Sequence, residues 1–230
     1  MGELTKSQVN KAGKALRVWS TGSWALLTPE ASQGLEVLQR WRAAHQYPLI
    51  KANNGLRSVV RTEGCQVEVS QRLKRIPTIV DKLVRQPTMQ LSTMQDIGGC
   101  RAVLGDVDEV RRVERRLRRN RPPLRISDYI AEPRRSGYRG IHLIASYDDR
   151  AIEVQLRTKA MHEWAIAVER LSWRTDEDLK SSRGPQPVLA WLEAVSEAMA
   201  LEETGCSVTS ELADRISVLR ERAVPYLSGR

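Results

Sequence analysis

Apolar positions recur at helical spacing over residues 4–19, where Leu4, Ala12, Ala15, Leu16 and Trp19 fall near one face, and Gly22 ends the run. Thr28-Pro29-Glu30 opens a second helix, with Thr28 as its cap and Pro29 in its first turn, that runs to about His45. Tyr47-Pro48 breaks it, a third helix covers roughly 48–63, and Gly64 stops that one. The period then drops to two in Gln66-Val67-Glu68-Val69-Ser70, which predicts a strand. Helical period returns over 72–85 through Leu73, Ile76, Ile79, Val80 and Leu83, with Pro77 weakening the first turn. Further strands are expected at 99–104, 125–130, 141–146 and 152–156, and Asp148-Asp149-Arg150 reads as a tight hairpin turn between the last two. Asp106 caps an arginine-loaded helix over about 107–119. Helices at 159–173, 186–201 and 209–222 follow, parted by Gly184-Pro185 and Gly205.

Helices, then a mixed β/α centre, then helices define an α+β fold: a mixed sheet of about five strands flanked by N- and C-terminal helices. The expected organisation is one compact domain with a helical region at 1–64, a core at 65–175 and a helical extension at 176–230. A chain of 230 residues is long enough to bury a core without disulfide or metal staples. Its formal charge of +9, mostly arginine, directs attention to polyanions: nucleotides, RNA, DNA or an anionic membrane face. No stretch approaches the length of a membrane span, and the start of the chain lacks the apolar core of a signal peptide. Cys65, Cys100 and Cys206 are odd in number and far apart, which suits reduced thiols in a cytoplasmic protein rather than a disulfide framework or metal site.

Three constellations carry candidate chemistry. Arg72, Lys74, Arg75, Thr78, Lys82 and Arg85 place cations and one hydroxyl where a strand passes into a helix, a suitable cradle for polyphosphate. The plainer reading is a solvated basic face. Asp96 stands before Ile97-Gly98-Gly99, and Glu153 shares a strand face with Gln155 and Arg157 while Ile152, Val154 and Leu156 take the other. Two carboxylates meeting across a sheet can hold Mg²⁺ through oxygen; alternatively they are a helix cap and a strand-edge charge. The loop Asp128–His142 sets arginines beside a tyrosine, which can stack a base and neutralise its phosphates, or be a basic loop with one buried aromatic.

In this order, RLKRIPTIVDKL at 72–83, DIGGCRAVL at 96–104, DYIAEPRRSGYRGIH at 128–142 and IEVQLRTKAMHEWA at 152–165 resemble the synthetase domain of the RelA/SpoT family. The resemblance covers roughly 65–175 and implies transfer of the β,γ-pyrophosphate of ATP to a ribose 3′-hydroxyl, with release of AMP. It implies that Arg72, Lys74, Thr78, Lys82 and Arg101 bind ATP, and that Asp96 and Glu153 form the catalytic pair and hold Mg²⁺. Glu153 would also take the proton of the attacking hydroxyl. On the acceptor side it implies Tyr138 stacking on a base, Arg134 contacting phosphate, and His142 and Gln155 lining the pocket. Arg157 continues the last motif without an assigned role.

VNKAGKAL at 9–16 and WRAAHQYPL at 41–49 are similar to the phage- and toxin-associated branch of the small alarmone synthetases, a branch that carries no hydrolase domain. That likeness implies the 3′-CCA end of tRNA as acceptor, a translation-blocking toxin or phage-defence role, and a neutralising partner or self-association. The arginines at 111, 112, 115, 116, 118, 119, 121 and 125 agree with RNA, with Arg112, Arg115, Arg116 and Arg119 as candidate contacts, although such a helix is often merely solvated. The alternatives are an alarmone synthetase acting on GDP, GTP or adenine nucleotides, and an inactive RNA-binding module. Asp106-Val107-Asp108 has the spacing of a nucleotidyltransferase carboxylate pair but lies at a helix start and reads as a cap. Trp41, Trp164, Trp173 and Trp191 are expected to be packing anchors.

Overall fold

The computed structural model describes residues 2–21, 27–175 and 177–227, so the expected stop at Gly22 lies outside the described residues. The elements are α1 (Lys6–Thr21), α2 (Pro29–Ala43), α3 (Gln46–Thr62), β1 (Glu68–Leu73), α4 (Ile76–Arg85), β2 (Gly98–Leu104), α5 (Val107–Asn120), β3 (Arg125–Asp128), β4 (Ile141–Tyr147), β5 (Arg150–Thr158), α6 (Lys159–Thr175), α7 (Gln186–Glu203) and α8 (Ser210–Leu227). The five strands form one sheet in the order β1-β2-β5-β4-β3. Only β2 and β5 run parallel; the other pairs are antiparallel. The fold is α+β, a mixed sheet with flanking helices.

Strand alternation gives the sheet two unlike faces. Cys100, Ala102 and Leu104 of β2, Ile152, Val154 and Leu156 of β5 and Ile141 and Leu143 of β4 make an apolar face. It packs against Leu49, Leu56 and Val60 of α3 and Val110 and Val113 of α5. The opposite face carries the polar side chains. Beyond one end of the sheet, α1, α2 and α4 close a second core around Leu16, Leu38, Ile79 and Leu83. A third core, Trp164, Val168, Leu179, Leu189 and Leu192, joins α6, α7 and the 3₁₀ turn Leu179–Ser181 to Tyr138.

Several boundaries move for identifiable reasons. β1 continues through Leu73 because Arg72 and Leu73 pair with Gly99 and Gly98, so ladder hydrogen bonds override the helical period there. Helix α4 therefore starts at Ile76, which puts Pro77 in the first turn, where a missing N–H leaves nothing unsatisfied. Pro48 likewise lies in the first turn of α3, leaving Ala44 and His45 as the whole break after α2. β3 stops at Asp128 because its carboxylate accepts from the N–H groups of Ile130 and Ala131 and turns the chain. The hairpin turn has Asp148 and Asp149 both at positive φ, 45° and 59°, as a type I′ turn requires. Asp106 caps α5 by accepting from Glu109 N at 2.7 Å. Trp41 and Trp164 are buried as expected, but Trp173 is 85% exposed and packs nothing down. Among the described residues no helix is long and apolar enough to cross a membrane.

The loop between β3 and β4 is clamped from outside. Gly137 sits at φ +82°, and a Cβ there would stand 2.7 Å from Ser196 Cβ and 2.8 Å from Leu192 O of α7. Ser196 Oγ donates to Gly137 O at 2.5 Å. Gly137→Ala should therefore lower stability by about 2 kcal/mol, a melting-point drop of about 4–8 °C in a chain of this size, read by thermal circular dichroism.

Candidate active site

Strand register lines up Arg72 of β1, Gly99 of β2, Glu153 of β5, Ile144 of β4 and Arg125 of β3 in one row across the sheet. A second row holds Ser70, Arg101, Gln155, His142 and Ser127. Glu153 is thus flanked by Gly99, whose missing side chain leaves space beside the carboxylate: a Cβ there would lie 3.9 Å from Glu153 Oε2.

Asp96 lies just ahead of β2. Lys74 and Lys82 both donate to its Oδ2, at 2.9 and 2.8 Å. Lys74 is placed by its own backbone, whose N–H donates to Ile97 O at 2.8 Å, and Lys82 by the helical spacing of α4. Burial works against ionisation of Asp96, but the two ammonium groups outweigh it and hold the carboxyl below its ordinary range. Asp96 Oδ1 is buried and meets no hydrogen-bond donor. Arg72 and Thr78 are exposed at the mouth of this cradle. Arg85, expected on the same helix face, turns away to Asp81 at 2.8 Å and to Asp178, and so ties α4 to the turn at Leu179–Ser181.

Glu153 is held on both oxygens. His142 Nδ1 lies 2.9 Å from Oε1, and Gln155 Nε2 donates to Oε2 at 2.6 Å. Burial opposes the charge, but these hydrogen bonds keep Glu153 below the usual carboxylate range, with Asp96 pushing the other way. Burial also lowers His142, against the pull of Glu153, so the imidazole is neutral.

Tyr138, which the resemblance sets against the acceptor base, is buried here. It is 1% exposed, so its ring is not offered to a base in this structure. Gly137 and Gly140, both at positive φ, fold the loop inward, and the ring lies tilted against Trp164 with Lys180 Nζ 5.4 Å above it. Its hydroxyl meets His142 Nε2 at 2.5 Å and accepts from Arg157 at 2.8 and 3.1 Å. His142 and Gln155, expected to line the acceptor side, both bond to Glu153. The half-buried aromatic at the rim is Tyr129, whose ring carries the Arg134 guanidinium at 4.4 Å and whose hydroxyl accepts from it at 2.8 Å.

Between these groups cations crowd together. Arg101 donates weakly to Ser70 Oγ at 3.5 Å, and its Nε is buried without a partner. Arg72 and Arg157 act on it electrostatically, and both act on Lys180 as well. Burial, then Arg157, pulls Lys180 down to about 8, although Glu169 holds its ammonium at 2.5 Å. Such a cluster, poor in carboxylates, suits a polyphosphate. Sequence reasoning gave no role to Tyr129, although it lies in the 128–142 motif, and passed over Glu169 and Lys180, which nothing local marks because they come to the cluster only through the packing of α6 and the 3₁₀ turn.

The arginines of α5 lie elsewhere. Helix α5 packs on the apolar face, opposite Glu153. Arg112, Arg115 and Arg119 line an open basin of about 910 Å³ that reaches Leu124 and Arg125 at the β3 edge. Arg116 is half-buried on the same helix and does not line the basin. Arg118 also lines the basin while pairing with Glu114, and Arg111 is taken up by Asp128.

A half-buried carboxylate between lysines, a second carboxylate one strand away and a cationic gap between them define a phosphate-transferring site. Residues 71–177 match the family described as a region found in RelA/SpoT proteins. The chain is 31% identical to the GTP pyrophosphokinase YjbM of Bacillus subtilis over 157 residues, covering 63% of this chain and 72% of that protein. It is 29% identical to the GTP pyrophosphokinase of Escherichia coli K12 over 153 residues, 60% of this chain but only 19% of that longer protein. Small alarmone synthetase 1 of B. subtilis, solved bound to its product pppGpp, superposes with a TM-score of 0.62 at 27% identity, covering 74% of this chain and 95% of that one. The chain belongs to the RelA/SpoT family. It is an enzyme of the pyrophosphokinase class, which transfers diphosphate groups.

Because Lys180 titrates near 8 when folded and near 10.5 when unfolded, the unfolded chain binds the extra proton between those values. The destabilisation is complete below pH 8 and fades as the pH rises to 10.5. Lys180→Met should remove it. The variant gains about 3 kcal/mol at neutral pH, and the difference between the two urea-denaturation curves closes above pH 10.

Proposed function

We propose that this enzyme moves the β,γ-diphosphate of ATP to the ribose 3′-hydroxyl of a guanine nucleotide and releases AMP. The observation that carries the reading is the polar face of the sheet, where Glu153 on β5 has on one side β2, entered from the Asp96–Lys74–Lys82 cradle, and on the other β4, entered from the loop bearing Tyr129 and Arg134. The names of the relatives support a guanine nucleotide as acceptor.

In this reading Arg72, Lys74, Lys82 and Arg101 grip the donor phosphates, and the exposed Thr78 in the first turn of α4 adds a hydroxyl. Asp96 Oδ1, buried without a donor, fits a cation, and Glu153 stands close enough to feel its charge. Two carboxylates with the rest of the shell left to phosphate and water is a usual protein share for Mg²⁺, and among the described residues no larger acidic or histidine cluster exists. When bound there, Mg²⁺ supplies neutralisation of charge on the donor phosphates.

Glu153 takes the proton from the 3′-hydroxyl while its oxygen attacks the β-phosphorus. The new O–P bond forms as the bond from the β-phosphorus to the bridging oxygen of AMP breaks. Arg72, Arg101 and Lys180 face the charge that spreads over the transferring and leaving groups; in such transfers positioning and electrostatic stabilisation are most of the catalysis. The Tyr129–Arg134 pair at the rim stacks on the acceptor base and meets its phosphates.

A second reading keeps the chemistry and replaces the nucleotide by the 3′ end of tRNA. The basin lined by Arg112, Arg115 and Arg119 favours it, since it could hold a polyanion larger than one nucleotide. Its position on the far face makes such an RNA pass around the β3 edge to reach Glu153.

The test uses ATP labelled at the γ-phosphate with GDP, GTP, ATP alone or deacylated tRNA. Label on GDP and GTP is expected, and Glu153→Gln should lose at least about 100-fold in turnover while still binding ATP. Label confined to intact tRNA would establish the second reading. Arg115→Glu with Arg119→Glu should then suppress tRNA labelling alone. ATP at about 100 times its Kd should also raise stability by about 2.7 kcal/mol in the wild-type protein, and Lys82→Ala should reduce that gain at the same concentration.

A further inference from the structure

Helix α4 and the β3–β4 loop rest on different cores. Ile79, Val80 and Leu83 pack α4 into the core it shares with α1 and α2. Tyr138 packs the loop into the core of α6 and α7. The sheet places the strands β1 and β4, but α4 and the loop both lie beyond strand ends. Among the described residues one ion pair crosses from the first of these cores to the second, Arg85 of α4 with Asp178.

Asp178 opens a turn that is fixed on every side. Its carbonyl accepts from Ser181 N at 3.0 Å and from Arg183 N at 3.1 Å, and Leu179 O accepts from Ser182 N at 2.9 Å. Leu179 is fully buried, and its N–H donates to Ser172 Oγ of α6 at 3.2 Å. Gly184, at φ +146°, lets Leu179 Cδ2 pass 2.5 Å from where a Cβ would stand. The turn in turn grips the loop. Ser136 N donates to Ser182 Oγ at 3.1 Å, and Ser136 Oγ donates to Lys180 O at 3.3 Å. Ser136 is itself wholly buried. Arg134, two residues earlier, is tied into the same loop: its carbonyl accepts from Gly137 N at 2.7 Å and its N–H donates to Tyr138 O at 3.2 Å. On the other side of the pair, Lys82 lies one helical turn before Arg85. A short line of contacts therefore runs from Lys82 through Arg85, Asp178 and Ser136 to Arg134.

We infer that Arg85 and Asp178 are positioning residues for diphosphate transfer: their ion pair sets the spacing between the donor phosphates held at α4 and the acceptor held at the β3–β4 loop. The inference rests on the proposed reading of α4 and of that loop. The charge of Arg85 is spent on Asp81 and Asp178, so it acts through Lys82 and not on a phosphate. A half-buried pair of this kind adds little to folding stability, so its place in the molecule matters more than its strength. Transfer between two bound molecules is far more sensitive, because a shift of about 1 Å in the reacting atoms can cost roughly 100-fold in rate.

The first test is hydrogen exchange with α,β-methylene ATP and Mg²⁺ as the probe. In the wild type the probe should slow the amides of 76–85 and, through the pair, those of 134–138. In Asp178→Asn the slowing at 76–85 should remain and that at 134–138 should be lost. Equal slowing at 134–138 in both proteins would overturn the inference, as would none there in the wild type. No slowing at 76–85 in either protein would instead overturn the assignment of α4 to the donor, and the inference with it. This reading depends on neither turnover nor the identity of the acceptor. The second test is steady-state kinetics. Arg85→Gln and Asp178→Asn should each lower kcat roughly tenfold with both KM values within about twofold of wild type, and the double variant should be no slower than either. Asp178→Glu should recover most of the loss. Asp81→Asn, which breaks only the other bond of Arg85, should keep kcat within about twofold of wild type. A double variant that multiplies the two single losses, or Asp81→Asn as slow as Arg85→Gln, would also overturn the inference.

Discussion

Parallel pairing of β2 with β5 sets Gly99 beside Glu153 and leaves no side chain between them. The same pairing carries Asp96, at the entrance to β2, to within electrostatic reach of Glu153, although 57 positions of sequence divide them. One strand further out, antiparallel β1 brings Arg72 level with Gly99 and then releases the chain into α4, whose Lys82 turns back to Asp96. On the other side β4 supplies His142. The two carboxylates, the cationic cradle and the β3–β4 loop all take their positions from this ladder.

The electrostatics of the site follow from unequal compensation. Asp96 is shared by two lysines, and Glu153 is held by neutral donors, so both stay ionised despite burial. Arg101 and Lys180, by contrast, are packed near Arg72 and Arg157 with little acid to offset them. Without ligand such an arrangement is strained by its own repulsion, and a polyanion relieves it. Stability traded for affinity in this way is a common feature of functional sites.

The C-terminal helices have a structural part in this. The α7 face against Gly137, the bonds from Ser136 to Ser182 and Lys180, and the Arg85–Asp178 pair bind the β3–β4 loop and α4 to one segment. The burial of Tyr138 and the lowered pKa of Lys180 both depend on that segment being in place.

Much of this was legible in the sequence. The strand periods, the cap at Asp106, the tight hairpin turn at Asp148-Asp149 and the polar face of Glu153, Gln155 and Arg157 all reflect local rules: two-residue alternation, turn preference and capping chemistry. Motif order was enough to point to the family. What local rules could not decide were the features set by partners distant in the chain. Ladder bonds with Gly98 and Gly99 drew Arg72 and Leu73 into β1 against their helical period. The inward fold of the β3–β4 loop against α7 buried Tyr138, and α5 came to rest on the face away from Glu153. Burial, hydrogen-bond direction and the face a helix presents depend on which surfaces meet, and only the tertiary structure brings those surfaces together.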